Sequence, residues 1–221
     1  LRSDLPYDVN AGFIPLVIYG TTYWAWMARP DFPANSFQEL IALAKQKPGD
    51  ISYASWGVGS SAHIAGALLE SATQMQLNHV PFLGSAPGLT ALQGGHVDLM
   101  PIGRTTAENL LKAGKVKVLA VAAPTRSKEV LPNVQTLTEL GYEAATAGSW
   151  YGISVRQGIP DQVRDRLQDA LIKVLNLPAV ATKIAAVGMD PVKMHGAVVT
   201  NFMRTEYDRY GAVIRAKQIK I

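Results

Sequence analysis

Apolar runs and amphipathic segments alternate along the middle of the chain. Short apolar or β-branched runs predict strands at 51–54, 78–82, 97–100 and 116–123. Segments with helical spacing of apolar residues separate them, and the first helix follows Ser36-Phe-Gln-Glu39, which has the sequence of a capping box. The alternation predicts a mainly parallel α/β sheet, in which ligands bind beyond the carboxyl ends of the strands.

The two ends of the chain carry a different pattern. Aromatic and β-branched runs on either side of Gly20-Thr-Thr predict two strands, 13–19 and 23–28, or one long strand with a break. Beyond residue 124 the pattern predicts a short helix within 132–141, a strand at 150–155, helices that begin near 161 and 178, and a long amphipathic helix at about 196–216. The last helix mixes acids and bases on its polar face, which favours packing on a domain over binding at a membrane surface.

Two glycine-containing loops are the strongest candidates for a binding site. The first, Trp56-Gly-Val-Gly-Ser-Ser61, follows a predicted strand, and either serine can cap the next helix. The second, Gly84-Ser-Ala-Pro87, also follows a strand, and Pro87 suits the first turn of a helix. A helix that starts over such a loop directs free N–H groups and the positive end of its dipole outward. Both loops therefore predict a site for a carboxylate or a phosphate.

Composition excludes several classes of partner. The 221 residues are 48% hydrophobic and 17% charged, with a net charge of +4 and no basic stripe, so binding to nucleic acid is not predicted. There is no cysteine, and the four histidines lack metal-ligand spacing, so neither a metal nor any other cofactor is expected. The longest apolar runs have the length of strands, and the chain is not expected to insert into a membrane.

Two enzymatic interpretations compete with simple binding. Gly57-Val-Gly-Ser-Ser-Ala62 fits a loose dinucleotide fingerprint, but the next strand, at Leu77–Pro81, lacks the acid that would hold a ribose. A hydrolase would use Ser60 or Ser61, yet Gly59-Ser-Ser-Ala-His63 lacks the second glycine of a nucleophile elbow. An α/β hydrolase or dehydrogenase for a small acid remains the alternative, but no catalytic residue is predicted.

Several motifs, in this order, resemble the tripartite tricarboxylate transporter solute-receptor family, also called the Bordetella uptake gene family. The resemblance covers nearly the whole chain and lies in the segments Ser55–Ile64, His79–Pro87, Leu92–Asp98, Lys112–Ala120, Ser149–Gly152 and Ile214–Lys220. It implies a type II periplasmic-binding-protein-like α/β fold, in which two lobes close a ligand cleft between them. Lobe 2 would be residues 23–147, and residues 1–22 with 148–221 would be the remainder of lobe 1. The first lobe is expected to be incomplete, because members of the family carry a further N-terminal segment.

The resemblance also implies a function. Members are periplasmic receptors that capture a small organic carboxylate and deliver it to the subunits of a membrane transporter; a ligand sensor for a signalling partner is a further alternative. The ligand-binding residues predicted by the loops and the resemblance together are Trp56, Gly57, Val58, Gly59, Ser60, Ser61, Gly84, Ser85, Ala86, Pro87, Ile102, Arg104 and Trp150. Where members commonly carry Asn and Asp, this chain has Val58 and Ile102. These two departures predict a less polar ligand without an amino group.

Overall fold

The computed structural model describes residues 5–9 and 11–220, which divide into two compact units. The first unit holds the described residues up to Thr22 together with Ser149–Ala212. The second unit holds Tyr23–Gly148 and the described residues from Val213 onward. The strands are β1 Phe13–Ala28, β2 Ser52–Ser55, β3 Asn78–Pro81, β4 Leu99–Gly103, β5 Lys117–Val121, β6 Gly148–Arg156 and β7 Asp190–His195. The helices are α1 Phe37–Gln46, α2 Ser61–Thr73, α3 Ser85–Gln93, α4 Arg104–Lys112, α5 Asp161–Leu175, α6 Pro178–Ala186 and α7 Ala197–Ala216, with a short 3₁₀ turn at Glu143–Ala145.

The sheet of the second unit has the order β3-β2-β4-β1-β5. β2 is parallel to both β3 and β4, whereas β1 is antiparallel to β4 and β5. The carboxyl ends of β2, β3 and β4 therefore lie at one edge of this sheet. Each of these strands is followed directly by a loop and a helix, so α2, α3 and α4 all begin at that edge. The alternation in the sequence leads to this arrangement because each helix must return the chain to the start of the next parallel strand.

The core of the second unit is built on the apolar residues of the central strands. Met27 and Met100 are fully buried in one apolar cluster, against which the partly buried Ile102 packs, and Leu99 and Ala120 are fully buried as well. Tyr53 is buried under α2, where Gly66 faces its ring, and a Cβ at Gly66 would overlap that ring. The glycine thus allows the helix to lie close to the sheet at the strand that leads into the first loop.

Asp98, just before β4, stabilises the amino-terminal edge of the same sheet through hydrogen bonds. Its carboxylate accepts hydrogen bonds from the Ser52 N–H at 2.9 Å, from the Ser52 hydroxyl at 2.8 Å and from Arg29 Nε at 3.0 Å. These contacts join the starts of β2 and β4 to the end of β1. Asp98 thus has a structural role, at the edge opposite the glycine loops.

The first unit contains a smaller core. Leu16 and Val17 of β1 pack with Leu175 of α5 and Ile184 of α6. β7 pairs with β1 in antiparallel register, from Val17↔His195 to Thr21↔Asp190, and β6 pairs with β1 as well. Much of β6 is exposed, including Tyr151 and Ile153.

Three features of the fold differ from the sequence predictions. The runs at 13–19 and 23–28 form one uninterrupted strand, β1. The helix predicted within 132–141 is wrong: the segment forms turns, although Thr136 and Glu139 exchange the reciprocal hydrogen bonds of a capping box at 2.8 and 3.1 Å. β7 was not predicted, because Asp190–His195 is a short run containing a proline and two charged residues.

Candidate functional site

The two glycine-containing loops lie side by side at the carboxyl edge of the second unit's sheet. Ser55 at the end of β2 is in register with Pro81 at the end of β3, and the Phe82 N–H donates to the Ser55 carbonyl at 2.9 Å. A Cβ at Gly57 would be 3.9 Å from the Phe82 carbonyl oxygen, so the loops are in contact. The structure thus brings together Trp56–Ser61 and Gly84–Pro87, as the sequence predicted for strands that are parallel neighbours.

The first loop is a tight turn that requires its glycines. Gly57 has φ of 121° and Gly59 has φ of 74°, conformations that residues with a Cβ adopt rarely. Ser60 fixes the turn, because its hydroxyl donates to the Gly57 carbonyl at 2.6 Å and accepts from the His63 N–H at 3.3 Å. Ser60 is therefore the N-cap of α2.

These internal bonds decide which amide groups remain for a ligand. The Gly59 N–H donates to His63 Nδ1 at 3.1 Å, and the Ser60 N–H donates to the Gly57 carbonyl at 3.2 Å. Within the described part of the chain, the N–H groups of Ser61 and Ala62 have no such acceptor. Ser61 is exposed whereas Ala62 is fully buried, so an anion above α2 would meet the amide of Ser61.

The second loop opens α3 in a similar way but without a side-chain cap. Gly84 is the N-cap residue, with φ of 115°, and Ser85 and Ala86 are exposed at the start of the helix. Pro87 has no N–H, so the first-turn donors of α3 are the amides of Ser85 and Ala86, which are without acceptors among residues 5–9 and 11–220. The two helix N-termini together provide the amides of three exposed residues, Ser61, Ser85 and Ala86, and the positive ends of two dipoles at one edge.

A pair of stacked histidines lies beneath the first loop. The rings of His63 and His79 have centroids 3.8 Å apart and an interplanar angle of 12°, and Tyr53 stacks on the other face of His79 at 5.0 Å. His79 Nε2 lies 2.6 Å from Ser55 Oγ, and that oxygen also bonds the N–H and the carbonyl of Gly57. Burial lowers the pKa of His63, and burial together with the neighbouring His63 lowers the pKa of His79 to about 4. Both rings are therefore neutral near pH 7.

The aromatic residue of the first loop belongs to a pair that the sequence did not reveal. Trp56 packs edge to face on Trp24 of β1, with centroids 5.3 Å apart. Trp24 is buried, and Trp56 is partly buried against the core of the second unit. Nothing in the spacing of residues 24 and 56 indicates this contact, which depends on β1 lying beside β4 in the sheet. Val58 is 44% exposed, so it faces solvent and not the core.

Two of the remaining predicted site residues, Arg104 and Trp150, pack against residues outside the two loops. Arg104 is the first residue of α4, but its side chain is 7% exposed and packs near Val121 and Thr136. Trp150 lies on β6 in the first unit, where it packs edge to face on Phe202 at 6.1 Å. Both residues stay predictions, and the burial of Arg104 leaves it little surface to offer a ligand.

The site lacks the arrangement that catalysis by a serine would need. Ser55 and His79 are within hydrogen-bond distance, but Ser55 is fully buried and its hydroxyl is engaged by Gly57. Ser60 bonds backbone groups and not an imidazole ring. No group of three or more His, Cys, Asp or Glu residues that could hold a metal occurs among the described residues. The arrangement can hold an anion, but it presents no activated group to react with one.

Helix N-termini gathered at one sheet edge form a site suited to binding an anionic solute. The model of the tripartite tricarboxylate transporter family receptor matches residues 2–219, and the chain belongs to that family. This match confirms the resemblance seen in the motifs, and it places the chain among receptors and not among enzymes.

Individual relatives and solved structures agree with this assignment. A UPF0065 protein of Bordetella pertussis is 30% identical over 97% of this chain and 66% of its own length, and BugT of the same organism is 27% identical over 100% and 68%. The chain thus spans about two thirds of the length of these curated relatives.

Among solved structures, a TctC solute-binding protein from Polaromonas is 29% identical with a TM-score of 0.82, covering 96% of this chain and 72% of that one. MatC from Rhodopseudomonas palustris, solved with bound malate, is 27% identical with a TM-score of 0.77, covering 97% and 74%. The periplasmic binding protein BugD is 26% identical with a TM-score of 0.79, covering 100% and 74%. The predicted α/β binding-protein fold is confirmed.

Proposed function

We propose that this protein is a periplasmic receptor that captures a small organic carboxylate and delivers it to the subunits of a tripartite tricarboxylate-type membrane transporter. The observation that carries the proposal is the pair of adjacent helix N-termini, α2 and α3, whose first amides are without acceptors in the described structure. Among the residues that the structure describes, no helix has the length and hydrophobicity required to cross a bilayer. The malate bound to MatC belongs to the class of ligand that such a site suits.

The carboxylate would lie over the starts of both helices. One oxygen would accept a hydrogen bond from the amide of Ser61 and the other from those of Ser85 and Ala86. The hydroxyls of Ser61 and Ser85 flank the same amides, and each can donate one further bond. Backbone donors suit an anion because they are fixed by the helices, so little order has to be gained when the ligand binds.

We infer further that the ligand carries an apolar or aromatic body. Val58 is exposed beside the amides of α2, and Leu83 is fully exposed next to those of α3. Trp56, held by Trp24, adds an aromatic surface at the same edge. A polar amino acid would find few partners on these side chains, and each polar group left unpaired out of water costs about 1–3 kcal/mol. Arg104 could pair with a second carboxylate on a diacid only if its side chain left its buried position.

Calorimetric titration of the intact protein with malate, citrate, glutamate and benzoate tests the proposal. We expect binding of at least one of these acids without turnover, and at a hundred times its dissociation constant that ligand should stabilise the fold by about 2.7 kcal/mol. Formation of a product, or failure of the whole panel to bind, would contradict the receptor function.

The same panel tests the apolar preference separately. We expect benzoate to bind more tightly than glutamate and to lose affinity on Trp56→Ala. Glutamate as the tightest ligand would leave the receptor function intact but refute the apolar surface. Trp150→Ala measured beside Trp56→Ala would show whether the first-unit tryptophan takes part, as the family resemblance implies.

A further inference from the structure

The histidine pair beneath the first loop is not needed to bind a carboxylate directly. His63 instead contacts the backbone of the loop, because its Nδ1 accepts a hydrogen bond from the Gly59 N–H at 3.1 Å. An acceptor nitrogen carries no proton, so the proton of the neutral ring is on Nε2. The bond fixes Gly59 in its positive-φ conformation, two residues before the first free amide of α2.

His79 supports the same loop through a second route. Its Nε2 contacts Ser55 Oγ, and Ser55 bonds both backbone groups of Gly57. The two glycines that shape the turn are thus each held by one histidine, Gly59 directly and Gly57 through Ser55. Because the rings stack at 3.8 Å, a charge on one opposes a charge on the other.

We propose that His63 is the positioning residue of the glycine–serine loop and that uptake of a proton on its Nδ1 releases Gly59 and lowers the affinity for the carboxylate. A protonated Nδ1 is a donor facing another donor, the Gly59 N–H, so the hydrogen bond is lost and the turn before α2 loosens. The inference rests on the proposed function, because the affinity that falls is that of the anion site at α2 and α3.

The groups around His63 favour its neutral form. His79 of β3 stacks on the ring, and the Tyr53 hydroxyl of β2 lies 3.5 Å from the His63 carbonyl. Glu70, one and a half to two turns along α2, is the carboxylate that acts on His63, and it is paired with Lys217 at 3.2 Å. Burial lowers the pKa of His63 more than Glu70 raises it.

The sign of the pH effect follows from this direction. In the unfolded chain His63 takes up its proton as the pH falls through about 6.5, whereas in the folded protein it does so at lower pH. The stabilisation from the neutral ring is thus complete above pH 6.5 and is lost as the pH falls from there through the folded pKa. His79, whose pKa is lowered to about 4, takes up its proton near that pH.

The experiment combines binding with nuclear magnetic resonance. Calorimetric titrations with benzoate and malate at pH 7.5, and with benzoate at pH 5, compare the wild type with His63→Asn and His63→Phe. Benzoate is used at low pH because its carboxyl group stays mainly ionised there. The asparagine Oδ1 occupies the place of Nδ1 and accepts without titrating, whereas phenylalanine keeps the stacked ring but has no acceptor. His96→Asn, at an exposed position, is the matched control.

We expect the wild type to lose benzoate affinity between pH 7.5 and pH 5, by at most the value of one hydrogen bond, about 2- to 12-fold, after correction for protonation of benzoate itself. His63→Asn should keep the affinity of pH 7.5 at both values. His63→Phe should be weakened by a similar factor already at pH 7.5 for both acids, and His96→Asn should behave as the wild type. Wild-type affinity that rises at pH 5, or a pH loss that persists in His63→Asn, would overturn the proposal.

The chemical shifts of the ring nitrogens of His63 and of the Gly59 amide supply an independent readout when they are measured across a pH titration without ligand. We expect an unprotonated Nδ1 at pH 7.5 and a Gly59 amide that shifts with the same midpoint as His63. A proton on Nδ1 at pH 7.5 would refute the positioning role even if the acids bind. Conversely, failure of the whole panel of acids to bind would refute the proposed function, while these shifts still decide whether His63 holds Gly59.

Discussion

Two adjacent serines in the first loop have different roles although nothing in their local sequence separates them. The Ser60 hydroxyl donates to the Gly57 carbonyl and accepts from the His63 N–H, so it maintains the turn. Ser61 is exposed, and its hydroxyl makes no bond to another residue of the described chain. Ser85 has the same position at the start of α3 as Ser61 has at the start of α2.

We therefore predict that Ser61→Ala and Ser85→Ala each weaken carboxylate binding by about 0.5–1.5 kcal/mol, the usual range for one hydroxyl hydrogen bond. Neither substitution should change the free energy of unfolding by more than about 0.5 kcal/mol, because both side chains are exposed. Calorimetric titration and urea denaturation measure the two quantities.

Ser60→Ala is the matched comparison in the same loop. It removes an N-cap and should lower the free energy of unfolding by about 0.5–2 kcal/mol. If Ser61→Ala and Ser85→Ala left the dissociation constant unchanged, the hydroxyls would have no part in binding, and only the amides could hold the anion.

At the scale of the elements, the sheet of the second unit has its structural contacts at one edge and the candidate binding loops at the other. Asp98 joins β2, β4 and β1 at the amino-terminal edge, whereas both loops lie at the carboxyl edge. The parallel strands β2, β3 and β4 produce this separation because they end on the same side, which leaves the other edge free for structural contacts that include the end of the antiparallel β1.

Asp98→Ala should consequently reduce stability without altering the site. The substitution leaves the part-buried Ser52 N–H and the Arg29 guanidinium without their acceptor, at a cost of about 1–3 kcal/mol for an unsatisfied donor. Urea denaturation should show the loss, while the affinity for a bound carboxylate should stay within about twofold of wild type at temperatures where the variant is folded.

The control for Asp98 is Asp31, the exposed acid that pairs with the same Arg29 at 2.7 Å. Asp31→Ala should cost no more than about 1 kcal/mol, because an exposed ion pair contributes little. A larger loss of affinity than of stability in Asp98→Ala would show that the acid acts on the binding edge after all.

At the scale of the whole molecule, the two units differ in how much core each contains. In the second unit the central strands are almost completely buried. In the first unit β6 is largely exposed, and α5 shows Val163, Leu167 and Val174 at 43–47% exposure. Backbone hydrogen bonds that lack cover open at a smaller free-energy cost than those in a packed core.

Hydrogen exchange followed by mass spectrometry should reflect this difference. We expect the slowest exchange in peptides from residues 24–28, 99–103 and 117–121, and faster exchange in β6 and α5. Addition of a bound carboxylate should slow exchange selectively in the peptides that contain Ser61, Ser85 and Ala86. Uniform protection across both units, or protection by ligand elsewhere only, would contradict the prediction.

The sequence by itself determined most of the second unit and led to the prediction of an anion site in its loops. The strict alternation of strand and helix patterns predicted β2 to β5 and α1 to α4, because burial repeats with the period of each element. The positive-φ glycines and the serines after them predicted both anion loops, since their chemistry is local. Only contacts between neighbours in sequence are needed for such predictions, and the family motifs added the receptor class.

Tertiary structure alone decided the rest. The helix predicted within 132–141 is absent even though Thr136 and Glu139 form the bonds of a capping box, because a capping box can be satisfied on a turn that no helix continues. The contact of Trp24 with Trp56 and the stack of His63 on His79 depend on which strands become neighbours. The same is true of the amides left for a ligand: whether an N–H is free depends on where every nearby acceptor lies, and those acceptors come together only when the chain has folded.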